Sequence, residues 1–329
     1  ILFFATLISG SLITLSANSW ISMWIGLEIN LLSFIPLMKN KKNMMESEAA
    51  MKYFITQTLA SVILMMSIIM MMKNWEQVIY KNINNLFMDS AILTKMGSAP
   101  FHFWFPEMIE GLTWMNATIL LTWQKIAPMS VFSLTTKSTL MMTMIILSSM
   151  IISGIMGINQ TSLRKILAYS SINHIGWMMA ALLNNQSIWL VYMIIYSMMT
   201  VNINLMLKMI NVFSVYQLIN SMNKNKSIKL MFKMNFMSMG GIPPFIGFLP
   251  KWITINEMIE NKMYALSLIM IILTLMTLYF YLRITFTSMI IENAQTKSFK
   301  TNKNMMMIMS SNLILTSGLS LCTLMFSVN

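Results

Sequence analysis

ILTKMGSAPFHFWFPEMIEG (residues 92–111) and FMSMGGIPPFIGFLPKW (residues 236–252) decide how this chain folds. Each is an apolar run broken by helix-stopping residues: Gly97, Pro100 and Pro106 in the first, and Gly240, Gly241, Pro243, Pro244, Gly247 and Pro250 in the second. Proline lacks the amide donor and clashes with the preceding turn, so neither run forms one regular helix. Lipid supplies no partner for exposed backbone, so both breaks must be buried in protein or line a wet cavity. A lysine stands beside each break, Lys95 before the first and Lys251 after the second. Lys125 lies in another apolar run just ahead of Pro128, and Glu28 lies within WISMWIGLEINLLSFIPLM, residues 20–38. A charge at the bilayer centre costs roughly 2.5–3.5 kcal/mol on insertion scales. Such groups persist mainly where they line an ion path or pair with one another.

The surrounding composition fits an all-α polytopic membrane protein. The 329 residues are 57% hydrophobic and only 10% charged, with a mean hydropathy of +0.67; soluble domains carry about 25% charged residues. Apolar stretches near 20 residues match the length that crosses about 30 Å of hydrocarbon. Eleven spans are expected: 1–17, 20–38, 51–72, 87–110, 116–135, 139–157, 163–183, 187–209, 230–256, 264–286 and 305–327. The whole chain, 1–329, reads as one transmembrane domain.

The net charge of +12 points to orientation rather than to nucleic acid. Under the eleven-span count, fifteen Lys and Arg residues fall on one side and four, Lys73, Lys81, Lys137 and Lys262, on the other. That bias puts the N-terminus on the cytoplasm-equivalent side and the C-terminus opposite. The two broken spans are the fourth and ninth, five apart. Spans one to five (about 1–135) and six to ten (about 139–286) then form two units of odd length, hence inverted repeats, with the eleventh span (about 305–327) added. Inverted repeats with matching broken helices are the pattern of ion-coupled transporters.

Cys322 is the only cysteine, so there is no internal disulfide, and His102 and His174 cannot make a zinc site with one distant thiol. No nucleotide fingerprint is present, and no basic segment precedes the first apolar span. The 42 methionines read as adaptable apolar filler. With 20 lysines against two arginines, they also suggest an AT-rich, organelle-encoded origin.

Glu28 is the natural partner for a buried lysine. Lys52, Lys208 and Arg283 lie near span ends and read as snorkelling to the interface. His174, beside Ser170, Ser171 and Asn173, has two readings: a proton relay, or a packed histidine bonded to a neighbouring helix. His102 reads as structural, Glu107 and Glu110 as facing water, and Asp89 as lying near the surface. Trp20, Trp75, Trp114 and Trp252 read as an interfacial belt.

GLEINLLSFIPL (26–37), KMGSAPFHFWFPEMIEGL (95–112), TWQKIAPMS (122–130), NQTSLRKILAYSSINHIGWM (159–178) and GGIPPFIGFLPKW (240–252) together resemble the NADH dehydrogenase (ubiquinone) subunit 2 family. These are antiporter-like, mitochondrially encoded membrane-arm subunits of respiratory complex I; the residue bias looks like an insect version. The resemblance implies two inverted five-helix repeats, without three N-terminal helices of bacterial relatives. It implies proton translocation across the inner mitochondrial membrane, with Glu28 and Lys95 as a switchable pair, Lys125 as the connecting lysine, His174 as a polar link and Lys251 in the second broken helix. It places NADH, FMN, iron–sulfur clusters and ubiquinone in other subunits, so no cofactor and no metal belong to this chain. Implied partners are other membrane-arm subunits, especially subunits 4 and 4L, accessory subunits and phospholipids, and no nucleic acid. Implied sidedness is N-terminus in the matrix and C-terminus in the intermembrane space. A subunit of a sodium/proton antiporter and a purely structural scaffold are the alternatives; sodium-driven flux would mark the first and a dry midplane the second.

Overall fold

The computed structural model describes residues 2–38, 43–72, 78–135, 139–222, 226–290 and 318. Apart from Gly318, the expected eleventh span at 305–327 lies outside the described residues, as do Trp75 and Cys322. The described residues are helical, with one isolated bridge between Ser162 and Ser214. The chain divides into two units, Ile1–Met142 and Thr143–Asn329.

The first unit holds α1 (Leu2–Ser16), α2 (Trp20–Met38), α3 (Met44–Met72), α4 (Val78–Met96), α5 (Trp104–Gly111), α6 (Trp114–Leu121) and α7 (Trp123–Thr135). Small residues let α1 and α2 pack backbone to backbone: a Cβ on Gly10 would lie 2.9 Å from the Asn30 amide, and one on Gly26 would lie 2.8 Å from the Gly10 carbonyl. The 29 residues of α3 make it about 43 Å long at 1.5 Å per residue, longer than the hydrocarbon core. Its buried stripe runs Glu46, Ala49, Ala50, Tyr53, Gln57, Ala60, Ser61 and Leu64, the spacing of one helix face.

The second unit follows from α8 (Thr139–Ile158), which starts at the boundary. It holds α9 (Leu163–Asn184), α10 (Gln186–Ile210), α11 (Val215–Met222), α12 (Lys226–Gly240), α13 (Phe248–Glu260) and α14 (Tyr264–Ile290). Every residue of α9 from Ile166 to Ala181 is buried, so this helix is apolar all round and is enclosed by its neighbours. Among the described residues, α2, α3, α8, α9, α10 and α14 are long and apolar enough to cross a membrane.

Both expected breaks are present, and they are built alike. α4 ends at Gly97 and α12 at Gly241, each in the left-handed region with φ of 70° and 77°. In each, two hydrogen bonds close the last turn: Gly97 N–H to Thr94 O and Ser98 N–H to Leu93 O, both 3.2 Å, and Gly241 N–H to Ser238 O at 3.0 Å and Ile242 N–H to Met237 O at 3.3 Å. This is the Schellman arrangement, which requires left-handed backbone that glycine adopts without a Cβ clash. Each glycine is followed three residues later by Pro100 or Pro244, each preceded by a cis peptide bond. Pro106 and Pro250 stand nine residues after their glycines, in the first turn of α5 and of α13. An amide there has no helical acceptor, so proline is tolerated.

The structure departs from the sequence reading in three places. The expected continuous span 116–135 is divided at Thr122, where φ and ψ are −113° and −73°. Pro128 leaves the Gln124 carbonyl without its helical donor. The turn upstream tightens instead, with Lys125 N–H donating to Thr122 O at 3.3 Å and the Thr122 hydroxyl donating to Thr118 O at 2.7 Å. The polar connection before the ninth span contains α11, which opens with a capping box. Ser214 Oγ accepts from the Gln217 amide at 3.3 Å, and Gln217 Oε1 accepts from the Ser214 amide at 3.3 Å. Asp89 is 1% exposed rather than at the surface, because α4 starts nine residues before the expected span at 87 and places Asp89 in its interior.

Candidate proton-handling sites

In the first unit the break creates the site. Ending α4 at Met96 leaves its last carbonyls without helical donors, and side chains from other helices supply them. Gln57 Nε2 donates to Lys95 O at 3.3 Å, and Trp104 Nε1 donates to Thr94 O at 3.1 Å. Lys95 therefore sits in the last turn of a half-helix, where the partial negative charge of the helix end favours a cation. Its ammonium is buried, with the residue 7% exposed, and Nζ makes no hydrogen bond among the described residues.

Lys95 and Lys125 border the same cavity. The cavity has a volume of about 20 Å³, and Tyr53, Gln57, Asn30 and Gln124 add polar atoms to its wall. A water needs roughly 10–15 Å³ on this measure and two to four polar partners, so the space and its lining suit one water between two lysines. Gln124 Nε2 donates to Asn30 Oδ1 at 2.9 Å, which fixes one side of the wall. Lys125 is 2% exposed, and its Nζ lies 5.5 Å from the centre of the Phe105 ring. A ring face at that distance attracts a cation without offering it a hydrogen bond.

Glu28 lies on α2 between Leu27 and Leu31, which both line the cavity. Its carboxylate interacts electrostatically with Lys95 and with Tyr53. It does not touch Lys95: the ion pairs within 4.0 Å among the described residues are those of Lys52 with Glu48 and with Glu107, each 3.0 Å. Glu28 Oε1 is buried and makes no hydrogen bond. The expected pair is thus a separated one. Glu107 and Lys52 are exposed and serve each other, as sequence position implied for Glu107.

In the second unit Lys251 is the counterpart of Lys95 by a different route. It is ten residues beyond Gly241, in the first part of α13, where the helix end is partially positive. Its side chain folds back, and Nζ donates to Gly240 O at 2.8 Å. The two lysines therefore both place their charge at the carboxyl end of a first half-helix, one by chain position and one by reach. Lys251 Nζ also lies 5.9 Å from the centre of the Trp177 ring.

Trp177 is one turn along α9 from His174. His174 Nδ1 shares a hydrogen bond of 2.9 Å with the Tyr192 hydroxyl, and its ring lies 4.9 Å from that of Tyr196. Tyr196 in turn is hydrogen-bonded to Ser171. The serines beside His174 are engaged locally, with Ser170 and Ser171 donating to Leu167 O and Ala168 O at 2.8 and 2.6 Å. His174 is thus held by a neighbouring helix and also joined to two phenols, so both sequence readings describe part of its setting. His102 is structural: its Nδ1 is 3.2 Å from Pro100 O within the break. Trp114 is 3% exposed, so it packs inside the unit rather than at an interface.

Gln57, Tyr53, Gln124 and Tyr192 complete these sites and were not expected. For Gln57 a signal existed: it is the one amide side chain within the apolar third span.

Comparison with known proteins agrees with this layout. Residues 17–277 match the NADH:quinone oxidoreductase/Mrp antiporter transmembrane family. The chain is 45% identical to NADH-ubiquinone oxidoreductase chain 2 of Anopheles gambiae over 99% of this chain and 98% of that one. It is 42% identical to the protein of that name from Locusta migratoria over 98% and 95%. A chain in the structure of respiratory complex I from Thermus thermophilus with bound aureothin has the same fold, with a TM-score of 0.86 at 20% identity, over 96% of this chain and 76% of that one.

Proposed function

We infer, from the fact that this chain belongs to the NADH:quinone oxidoreductase/Mrp antiporter transmembrane family, that it is a membrane-arm subunit of mitochondrial NADH:ubiquinone oxidoreductase and moves protons without redox chemistry of its own. Eleven spans, two of them broken and related as inverted repeats, a matrix N-terminus and contacts with subunits 4 and 4L belong to this reading. So does location of all cofactors in other subunits. The observation that carries the proton-handling role is the small polar cavity bordered by both Lys95 and Lys125.

Two ammonium groups beside one cavity in a low-dielectric interior repel strongly. The cavity therefore favours one excess proton shared between the two lysines. A water bridging them accepts a proton from one ammonium as it donates one to the other amine. Glu28 biases where that proton rests, because its negative charge attracts it to Lys95. Drawing charge away from Lys125 pulls the proton across, and loading Lys95 again resets the pair. In the second unit, His174 with Tyr192 and Lys251 at the Gly240 carbonyl hold the corresponding protons.

The test is the proton-to-electron ratio of the assembled complex in sealed vesicles. Lys95→Met is expected to lower it. Removing one member of a buried charge pair typically costs about 3–5 kcal/mol because the other is left uncompensated, so this variant should also assemble less well. Adding Glu28→Gln should restore assembly and leave the ratio low. A normal ratio in Lys95→Met would remove the proposed role.

A further inference from the structure

One buried carboxyl takes no part in this scheme. Asp89 is 1% exposed, and its Oδ1 makes no hydrogen bond among the described residues. Its neighbour across the α4–α7 contact is the Thr135 hydroxyl. Asp89 is seven residues before Met96, and Thr135 is seven after Pro128; Met96 and Pro128 both line the cavity that Lys95 and Lys125 share. Residues seven apart share a helix face. The two helices therefore run antiparallel with their faces in register, and the Asp89–Thr135 contact lies about 10 Å from the cavity at 1.5 Å per residue.

What separates the two is dry. Ile92 and Leu93 of α4 and Met129 and Phe132 of α7 lie between them, all with no exposure. An apolar barrier thus divides a two-lysine cavity from an acid on the same helix pair, toward the end where α4 begins and α7 ends.

We propose that Asp89 is a proton-carrying carboxyl, which exchanges protons between the Lys95–Lys125 cavity and that end of the first unit when water crosses the Phe132 barrier. The inference rests on the proton-handling reading above. The step is proton transfer alone: a water chain takes a proton from a lysine ammonium and delivers one to the carboxylate, leaving a neutral amine and a neutral acid. Thr135 suits both states. Its hydroxyl donates to Phe132 O at 3.0 Å, which leaves its oxygen free to accept from a protonated Asp89. Once Asp89 ionises, the hydroxyl can turn and donate to it. The same hydroxyl touches the backbone of Phe132, so the charge on Asp89 is coupled to the barrier residue itself.

Asp89→Asn keeps the volume and the hydrogen bonding to Thr135 but carries no exchangeable acid proton. In the assembled complex in sealed vesicles it should lower the proton-to-electron ratio, with transfer along this route slowed about 10²-fold or more; Asp89→Glu should restore it. An unchanged ratio in Asp89→Asn overturns the proposal. If Lys125→Met lowers the ratio in the same assay while Asp89→Asn does not, only the role of Asp89 falls; if neither does, the underlying reading falls too. Should Asp89→Asn not assemble, the unaltered complex decides. Dicyclohexylcarbodiimide adds to a protonated carboxyl in an apolar site, and the O-acylisourea rearranges to an N-acylurea with nothing lost. A peptide carrying that adduct at Asp89 supports the proposal, and its absence overturns it.

Discussion

Lys125→Met should all but abolish proton translocation through this subunit while the complex still assembles. Lys125 is among the largest fully enclosed side chains of the first unit. Methionine matches its length and volume, and replacing buried charge by apolar groups of similar volume is often neutral or stabilising by about 1–4 kcal/mol. The loss of the Phe105 ring contact offsets this by only about 0.5–2 kcal/mol. Stability is thus expected to hold, so a lost function cannot be blamed on a lost fold. The cavity, by contrast, would keep one lysine and lose the site to which its proton moves. Transfer should fall by about 10²-fold or more, the usual worth of a positioned proton-transfer group. The measurement is the proton-to-electron ratio, with the amount of complex on a native gel as control. Reduced assembly with a normal ratio would assign Lys125 to scaffolding instead.

Gly247→Ala should prevent this subunit from accumulating. A Cβ there would overlap the Ser238 carbonyl oxygen, and that oxygen already accepts the Gly241 amide at 3.0 Å to close α12. Both atoms are backbone, so no rotamer change relieves the clash. Overpacking costs about 1–3 kcal/mol where side chains can adapt; here they cannot, and the cost should exceed that. A domain's whole margin is about 5–15 kcal/mol. Gly240→Ala is the matched control. The nearest atoms to its new Cβ would be 3.8 Å away, and its carbonyl stays available to Lys251. That variant should assemble normally, gaining about 0.5–1 kcal/mol from replacing a helical glycine. Equal loss in both variants would show that the site resists any side chain, not the specific overlap at Gly247.

The breaks were legible because their chemistry is local. Gly97 and Gly241 followed by prolines can be read as helix stops from residue types alone, and the structure puts the stops there. The start of α11 was equally local: Ser214, Val215, Tyr216 and Gln217 spell a capping box, and only the polar company of the segment hid it. What sequence could not supply was distance between helices. Lys95 and Lys125 are 30 residues apart, and only packing reveals that they border one cavity. The same limit explains Lys251. Its sequence position implied the positive end of α13, while its flexible stem carries the charge back to Gly240. Asp89 was misplaced for a simpler reason: a helix rich in asparagine, NINN at 82–85, does not look apolar enough to continue, yet α4 does continue through it.

The matched spacing of glycine and proline in the two breaks also makes the segments count-sensitive. Gly241 to Pro250 sets not only where α13 begins but its rotational phase. Inserting one residue among 242–247 would turn α13 by about 100° and advance it by about 1.5 Å. Lys251 would then swing away from both the Gly240 carbonyl and the Trp177 ring. A substitution in this stretch disturbs one contact, whereas a single added or missing residue would dephase them all. Length variation in this chain is therefore admissible in its polar connections, and the two breaks behave as fixed-length gauges.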